Sequence, residues 1–431
     1  MSFLRKGILA SGGQVFCIML SMIVGVLFSR KLGPAGMGQY ELLRSVALTV
    51  GALGAFGLGN ANIFFLNSRN VPPEEIVSNA IKALAALGLL VALGVGTAIL
   101  VAPDYFGHVP TVVAVLFGLG VGTHTGRLIL RPILTARLEV RRMVWVELIR
   151  QLVLLGGGLV LVGLGCLSAH TGLVLLALGF YGSLLLAAWF LRRFADLRRR
   201  FDWRLFRGVL VYGLKLGAAT ALFGLTQNLG VFLLRALRPG QFADVGLYTR
   251  AVAVCALVLT VPVGIAPLLY AKWSGAAGEE RTRQVEMAAR MNTTFGIAAA
   301  LVAGLLGKYV IWLLYGAQFL GAQQALQILA PALVLVNLYN PCGQLLASAG
   351  QAAMAAYILA GTLVVVCVAT ILMVPGWGIR GAAIGLLCGN VFMAAVTCFV
   401  CWRLHGLNVL HCLFVRRSDL AYVRRALWAR G

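Results

Sequence analysis

The chain reads as an all-α polytopic membrane protein of about 12 transmembrane helices in two parallel six-helix lobes. Three observations predict this class. Of 431 residues, 61% are hydrophobic and 11% charged, against roughly 45–50% apolar and 25% charged in an ordinary soluble domain, and the mean hydropathy is +0.93. Apolar runs of the ~20 residues needed to cross a ~30 Å hydrocarbon core recur along the chain. A basic loop, Leu191 to Gly208, divides those runs into two sets. The runs are read as helices because lipid offers no partner to a backbone N–H or C=O.

The first lobe, 1–192, carries crossings at 8–29, 41–65, 79–101, 110–130, 144–165 and 171–191. Residues 193–207 form a basic cytoplasmic linker. The second lobe, 208–402, carries crossings at 208–233, 246–270, 291–314, 323–347, 352–374 and 381–402. Gly57, Gly59 and Asn60 interrupt the second crossing, and Pro262 and Pro267 the eighth, residue types that weaken or bend helices. The first run leads through Arg30 and Lys31 straight into the second, so it reads as a retained anchor with no cleaved leader. The tail, 403–431, sets Leu413, Leu420, Val423 and Leu427 against Arg416, Arg417, Arg424 and Arg425, the pattern of a basic amphipathic helix lying on a leaflet.

Basic residues set the orientation, because cytoplasmic loops accumulate Lys and Arg. One side collects Arg5, Lys6, Arg69, Arg131, Arg137, Arg141, Arg142, the arginines of the linker, Lys272 to Arg290 and the tail. The other holds Arg30, Lys31, Arg235, Arg238 and Arg380. Both termini are therefore expected in the cytoplasm. The net charge of +23 does not read as nucleic-acid binding, because these residues sit at helix ends where anionic lipid attracts them. Membrane lipids are the expected partners of that charge.

An internal repeat supports the two lobes. Phe28-Ser-Arg-Lys-Leu-Gly-Pro-Ala-Gly-Met-Gly-Gln-Tyr40 and Leu234-Arg-Ala-Leu-Arg-Pro-Gly-Gln-Phe-Ala-Asp-Val-Gly-Leu-Tyr248 each join the first crossing of a lobe to its second. Both combine two basic residues, a Pro and Gly turn and a Gly-x-Tyr opening the next helix. An even number of crossings per half makes the repeats parallel, with a ligand site expected between them near midplane. Gly118, Gly122 and Gly126, and Gly381, Gly385 and Gly389, recur every four residues, a spacing that lets helix backbones approach closely.

Catalytic signatures are missing. There is no G-x-x-x-x-G-K-[ST] phosphate loop, no Asp-x-Asp pair for a sugar-nucleotide metal, and five isolated histidines. No external loop exceeds about a dozen residues, short for one with its own function. Cys398 and Cys401 have C-x-x-C spacing but lie in an apolar run, where they read as packing residues. No cofactor or metal is expected.

Charges inside crossing segments are costly and mark pathways. Lys82, Arg127, Arg150 and Lys308 lie near segment ends and read as reaching the headgroups. Arg44 follows Tyr40, and Arg250 follows Tyr248, near the start of the second helix of each half. Both are read as cavity-lining, with an interfacial position as the alternative, and Lys215, deeper in its segment, as cavity-lining or snorkelling. Gln227, Asn228, Asn60 and Asn62 suit either interhelical hydrogen bonding or the hydroxyls of a ligand in a wet cavity. The acids inside the segments are Glu41 and Glu147, each with an arginine three residues on, Arg44 and Arg150, where helical side chains meet. Several cations against almost no free carboxylate favour an anionic ligand.

Lys31-Leu-Gly-Pro-Ala-Gly-Met-Gly-Gln-Tyr40, Phe56-Gly-Leu-Gly-Asn60 with Asn62, Val245-Gly-Leu-Tyr-Thr-Arg-Ala-Val252 and Gly378-Ile-Arg-Gly-Ala-Ala-Ile-Gly385 together resemble the polysaccharide flippases (O-antigen and exopolysaccharide) of the multidrug, oligosaccharidyl-lipid and polysaccharide exporter superfamily. The resemblance runs from the first crossing to Trp402. It implies two six-helix lobes forming a V, and alternating access that moves an undecaprenyl-pyrophosphate-linked oligosaccharide from the cytoplasmic to the periplasmic leaflet of a bacterial inner membrane. It places crossings one, two, seven and eight around the cavity. Arg44, Arg250 and Lys215 would then hold the pyrophosphate, with Gln227, Asn228, Asn60 and Asn62 on the sugars and Tyr40 and Tyr248 beside them. A polysaccharide polymerase and glycosyltransferases would be the protein partners. Members of that family often carry an Asp in the seventh crossing, where this chain reads Asn228-Leu-Gly230, which puts acid-dependent ion coupling at this site in doubt. A drug or metabolite exporter of the same architecture would want an embedded carboxylate, and a membrane glycan polymerase or ligase a larger external loop.

Overall fold

The computed structural model describes residues 3–196, 198–274 and 278–414, so the tail helix expected beyond Phe414 lies outside the described residues. All the long elements are helices: α1 (Phe3–Gly54), α2 (Leu58–Asn67), α3 (Pro73–Val101), the short α4 (Pro103–Phe106), α5 (Thr111–Ala136), α6 (Val140–Gly163), α7 (Ala169–Leu191), α8 (Trp203–Leu237), α9 (Phe242–Ser274), α10 (Gly278–Tyr315), α11 (Ala322–Ser348), α12 (Ala352–Trp377) and α13 (Ile379–His405). Several outrun the apolar segments of the sequence, because an apolar run reports only the hydrocarbon thickness while the helix continues into the headgroup layer.

Eleven described helices are long and apolar enough to cross a membrane. The longest, Gly12–Gly54, has 43 residues, about 65 Å at 1.5 Å per residue, twice the hydrocarbon core. Its helical geometry breaks at Gly33, with φ 68° and ψ 177°, just before Pro34. Only glycine takes that φ without strain, so α1 supplies two crossings. The second bends again where Phe56 and Gly57 take positive φ, between α1 and α2, at the interruption visible in the sequence. Positions 262 and 267, by contrast, lie within continuous α9.

The chain forms two compact units, 1–249 with 314–319, and 250–313 with 320–431. The first holds α1 to α8, the start of α9 and the turn Ala317–Phe319. Its apolar core includes Leu58, Ile76, Ile129, Ile133, Val146, Ala187 and Val209. Close backbone approach builds the α3–α5 packing: a Cβ on Gly122 would stand 2.2 Å from the Gly88 carbonyl oxygen. The second unit holds the rest of α9 and α10 to α13. There the Gly381, Gly385 and Gly389 face lies on Met373, Thr370 and Val366 of α12, and Cys342, Cys398, Cys401 and Cys412 are buried in one apolar cluster.

The surface is apolar where lipid would touch it, with Leu90, Leu185, Leu305 and Leu372 all exposed. In the first unit Trp145, Trp189 and Trp203 stand exposed at helix ends beside the basic loops, and in the second Trp402 stands exposed at one helix end with Trp312 and Trp377 at others, as interfacial aromatic residues do.

The basic linker is tied down rather than loose. Asp202 caps α8 by accepting from the backbone N–H groups of Arg204 and Leu205 at 2.8 and 3.0 Å. Asn79 of α3 grips the Asp202 backbone at both ends, donating to its carbonyl at 2.8 Å and accepting from its N–H at 2.9 Å. Arg199 pairs with Glu75 at 2.6 Å, and Lys82, expected to reach headgroups, donates to the Arg199 carbonyl.

Candidate functional site

The two halves of the sequence repeat meet inside the first unit. Gly38 on α1 and Gly246 on α9 lie against each other: a Cβ on Gly38 would fall 1.8 Å from the Phe242 carbonyl oxygen, and one on Gly246 2.0 Å from that of Pro34. The two Gly-x-Tyr elements are thus the contact points of a helix crossing, which explains the glycines. Their tyrosines are packed. Tyr40 is buried edge-on to Phe28, with ring centroids 5.2 Å apart, and Tyr248 is buried against Gly230 of α8.

A latch surrounds this crossing on the side opposite the basic loop. Arg235 of α8 reaches α4, donating from Nε to the Tyr105 carbonyl at 2.8 Å and from a second nitrogen to the Asp104 carbonyl. Its guanidinium lies 4.0 Å over the Phe242 ring. Tyr105 returns a hydrogen bond from its hydroxyl to the Phe232 carbonyl at 3.0 Å, and burial pushes that phenol up to about 12, so it stays a neutral donor. Gln39 donates to the Gly107 carbonyl at 2.8 Å. Arg30 donates to the Leu314 carbonyl at 3.0 Å, and Arg238 pairs with Asp244 at 2.9 Å.

The other candidates divide by what their polar groups do. Arg44, partly exposed, donates to Glu41 at 2.8 Å. Asn62 is buried and donates to the Ile129 carbonyl at 3.4 Å, on the wall of a small open cleft shared with Asn79, Leu205 and Phe206. Asn228 donates to the Gly224 carbonyl of its own helix at 2.9 Å. Gln227 is half-buried, and Asn60 and Lys215 are exposed. Lys215 lies between Gly213 and Gly217, which receive the α1–α2 bend: a Cβ on Gly57 would meet the Gly213 carbonyl oxygen at 2.2 Å. This brings crossings two and seven together in the first unit. Arg250 belongs to the second unit, where it is buried.

No protein-family model matches the chain. In sequence it is similar to the probable low-salt glycan biosynthesis flippase Agl15 of Haloferax volcanii, 22% identical over 394 residues, covering 89% of this chain and 80% of that one. In structure it is similar to an inward-facing multidrug resistance transporter of the MATE family within the MOP superfamily, at TM-score 0.70 and 18% identity over 90% of this chain and 94% of that one. It is also similar to the lipid II flippase MurJ in an inward closed conformation, at TM-score 0.73 and 13% identity over 91% of this chain and 87% of that one. A MOP-superfamily transporter from Pyrococcus furiosus, described as having a binding pocket of reversed polarity that suggests a different function, matches at TM-score 0.68 and 18% identity over 93% and 94%. The chain shares the fold of these solved transporters.

On this fold one group of charges departs from the sequence expectation. Arg127 and Arg150 do not run to the headgroups but turn inward onto Glu147, each at 2.5 Å, with Arg131 at 3.9 Å. A carboxylate on the neighbouring helix face outcompetes a long reach to water because low dielectric strengthens the pairing. The sequence offers the i,i+3 spacing of Glu147 and Arg150 as a signal. It offers none for Arg127, on a different helix, or for the Arg235 latch.

Proposed function

We propose that this protein is a flippase that moves a lipid-linked oligosaccharide on an undecaprenyl-pyrophosphate-type anchor between leaflets by alternating access. The observation that carries the reading is that Glu41 and Glu147, the acids within the crossing segments, are both paired with arginines. A cationic drug would seek a carboxylate, and those carboxylates are occupied. Arg44, Arg250 and Lys215 are assigned to the pyrophosphate, where guanidinium forks suit phosphate oxygens. Gln227, Asn228, Asn60 and Asn62 are assigned to the sugars, with Tyr40 and Tyr248 setting the helices that carry the two arginines. Similarity to a glycan flippase along most of the chain supports the substrate class. We place the protein in a cytoplasmic membrane with both termini inside, working with a polysaccharide polymerase and glycosyltransferases.

Asn228, where the resembling family often has Asp, leaves the membrane potential as the proposed drive. An inside-negative potential favours outward movement of an anion by about 2.3 kcal/mol per charge per 100 mV. The second reading is a drug or metabolite exporter, favoured by likeness to multidrug transporters of the same fold.

The test is reconstitution into liposomes with a fluorescent lipid-linked oligosaccharide, with and without an imposed potential. Wild type should flip it faster at inside-negative potential, and Arg44→Ala with Arg250→Ala should abolish flipping while the protein still reconstitutes. Normal flipping in the double variant would sink the site assignment. Drug efflux from cells without any flipping would transfer the case to the exporter.

A further inference from the structure

The helix pair α5 and α6 carries a charge arrangement outside the residues assigned to the ligand. Arg127, Arg131 and Arg150 converge on the single carboxylate Glu147, leaving an excess of two positive charges. Arg127 is buried to 6% side-chain exposure, Arg150 to 12% and Arg131 to 30%. Among the described residues, the Nε–H donors of Arg127 and Arg150 are enclosed and make no hydrogen bond, and that of Arg131 faces Glu147 at 3.9 Å. His124 lies 3.4 Å from Arg127 through a ring nitrogen and carries no negative charge to offset the excess. Buried guanidinium donors are costly when unanswered, and buried cations are retained where an anion answers them.

Depth narrows the ligand. Arg131 lies five residues from the end of α5 and Arg127 nine, about 8 Å and 14 Å along the axis, while Glu147 is seven residues into α6, about 11 Å. The headgroup layer occupies about 5–8 Å on each side of the hydrocarbon core. Arg131 is therefore at the level of lipid phosphates, is the most exposed of the three, and leads to the two deeper arginines. Basic pockets between transmembrane helices on this side of a membrane suit phosphorylated headgroups, and the planar guanidinium fork matches phosphate oxygens.

We propose that Arg127, Arg131 and Arg150, set by Glu147, form a phosphate-binding site inside the first unit, open to the basic-loop leaflet and separate from the transport residues. The ligand is a phosphate group, supplied by an anionic membrane lipid or by a free phosphate anion. Bound there, it locks α5 to α6 at the loop that joins them.

The experiment uses the purified full chain in detergent. Thermal unfolding is followed while phosphatidylglycerol, phosphatidylcholine or inorganic phosphate is titrated separately into wild type, Arg131→Gln and Arg141→Gln. Arg141 is an exposed arginine of the same loop region and controls for general attraction to the basic surface. Phosphatidylglycerol should raise the unfolding midpoint of wild type and Arg141→Gln, phosphatidylcholine should not, and Arg131→Gln should need at least tenfold more lipid for half the rise. A rise with inorganic phosphate that Arg131→Gln also weakens would support the site with a soluble anion as its ligand. If Arg131→Gln does not elute as a single species, Arg131→Lys is read in its place and should need several-fold more lipid. An equal response of the Arg131 variant and wild type, or no response to either phosphate source, would overturn the proposal.

Discussion

Replacing Gly38 or Gly246 with alanine should unmake the α1–α9 crossing. The new Cβ at position 38 would stand 1.8 Å from the Phe242 carbonyl oxygen and 2.9 Å from the Gly246 nitrogen, well inside a van der Waals contact of ~3.5 Å. The obstructing atoms are backbone, so no rotamer change relieves the overlap and the helices must separate. Overpacking of this kind costs about 1–3 kcal/mol. At about 2–4 °C per kcal/mol for a unit of this size, the unfolding midpoint should fall by roughly 2 to 12 °C. Gly94→Ala is the control, since a Cβ there has open space and alanine is the better helix former by about 1 kcal/mol. Purified variants followed by tryptophan fluorescence on heating give the comparison. If Gly38→Ala and Gly246→Ala melt with Gly94→Ala, the reasoning about this crossing is wrong.

Three further outcomes follow from named contacts. Tyr105→Phe removes the hydrogen bond to the Phe232 carbonyl and should cost about 0.5–1.5 kcal/mol, visible as faster amide exchange over 103–110. Asn79→Ala removes two hydrogen bonds to the Asp202 backbone, so about 1–3 kcal/mol should be lost, and trypsin should cut the arginine-rich linker sooner than in wild type. Glu147→Gln strips the carboxylate from Arg127 and Arg150, and breaking a buried pair this way costs about 3–5 kcal/mol. That variant should aggregate or melt far below Glu139→Gln, whose partners Arg142 and Arg193 are more exposed.

Much of the candidate site was legible residue by residue but not as an arrangement. The interruption at Gly57 was visible, and the structure supplies its reason, a seat on Gly213 and Gly217. The repeated Gly-x-Tyr was visible as a repeat, yet nothing in it announced that Gly38 and Gly246 would touch. The arginines that violate the positive-inside pattern were visible as exceptions. In the fold they bond to the protein: Arg30 to Leu314, Arg235 to Asp104 and Tyr105, Arg238 to Asp244, and Arg380 to Gln324 at 2.9 Å. On the side expected to carry few basic residues, the donors are spent internally.

By itself the sequence determined the helical, polytopic class and about how many crossings it holds. Those follow from local rules: apolar length against membrane thickness and obligatory backbone hydrogen bonding in lipid. Only the tertiary structure decided which partners the buried charges take. Arg127 and Glu147 are 20 residues apart and Arg235 and Tyr105 are 130, on helices whose faces meet through packing. Periodicity says which residues share a face of one helix, but not which face lies opposite, and in low dielectric that choice separates a snorkelling arginine from a buried ion cluster.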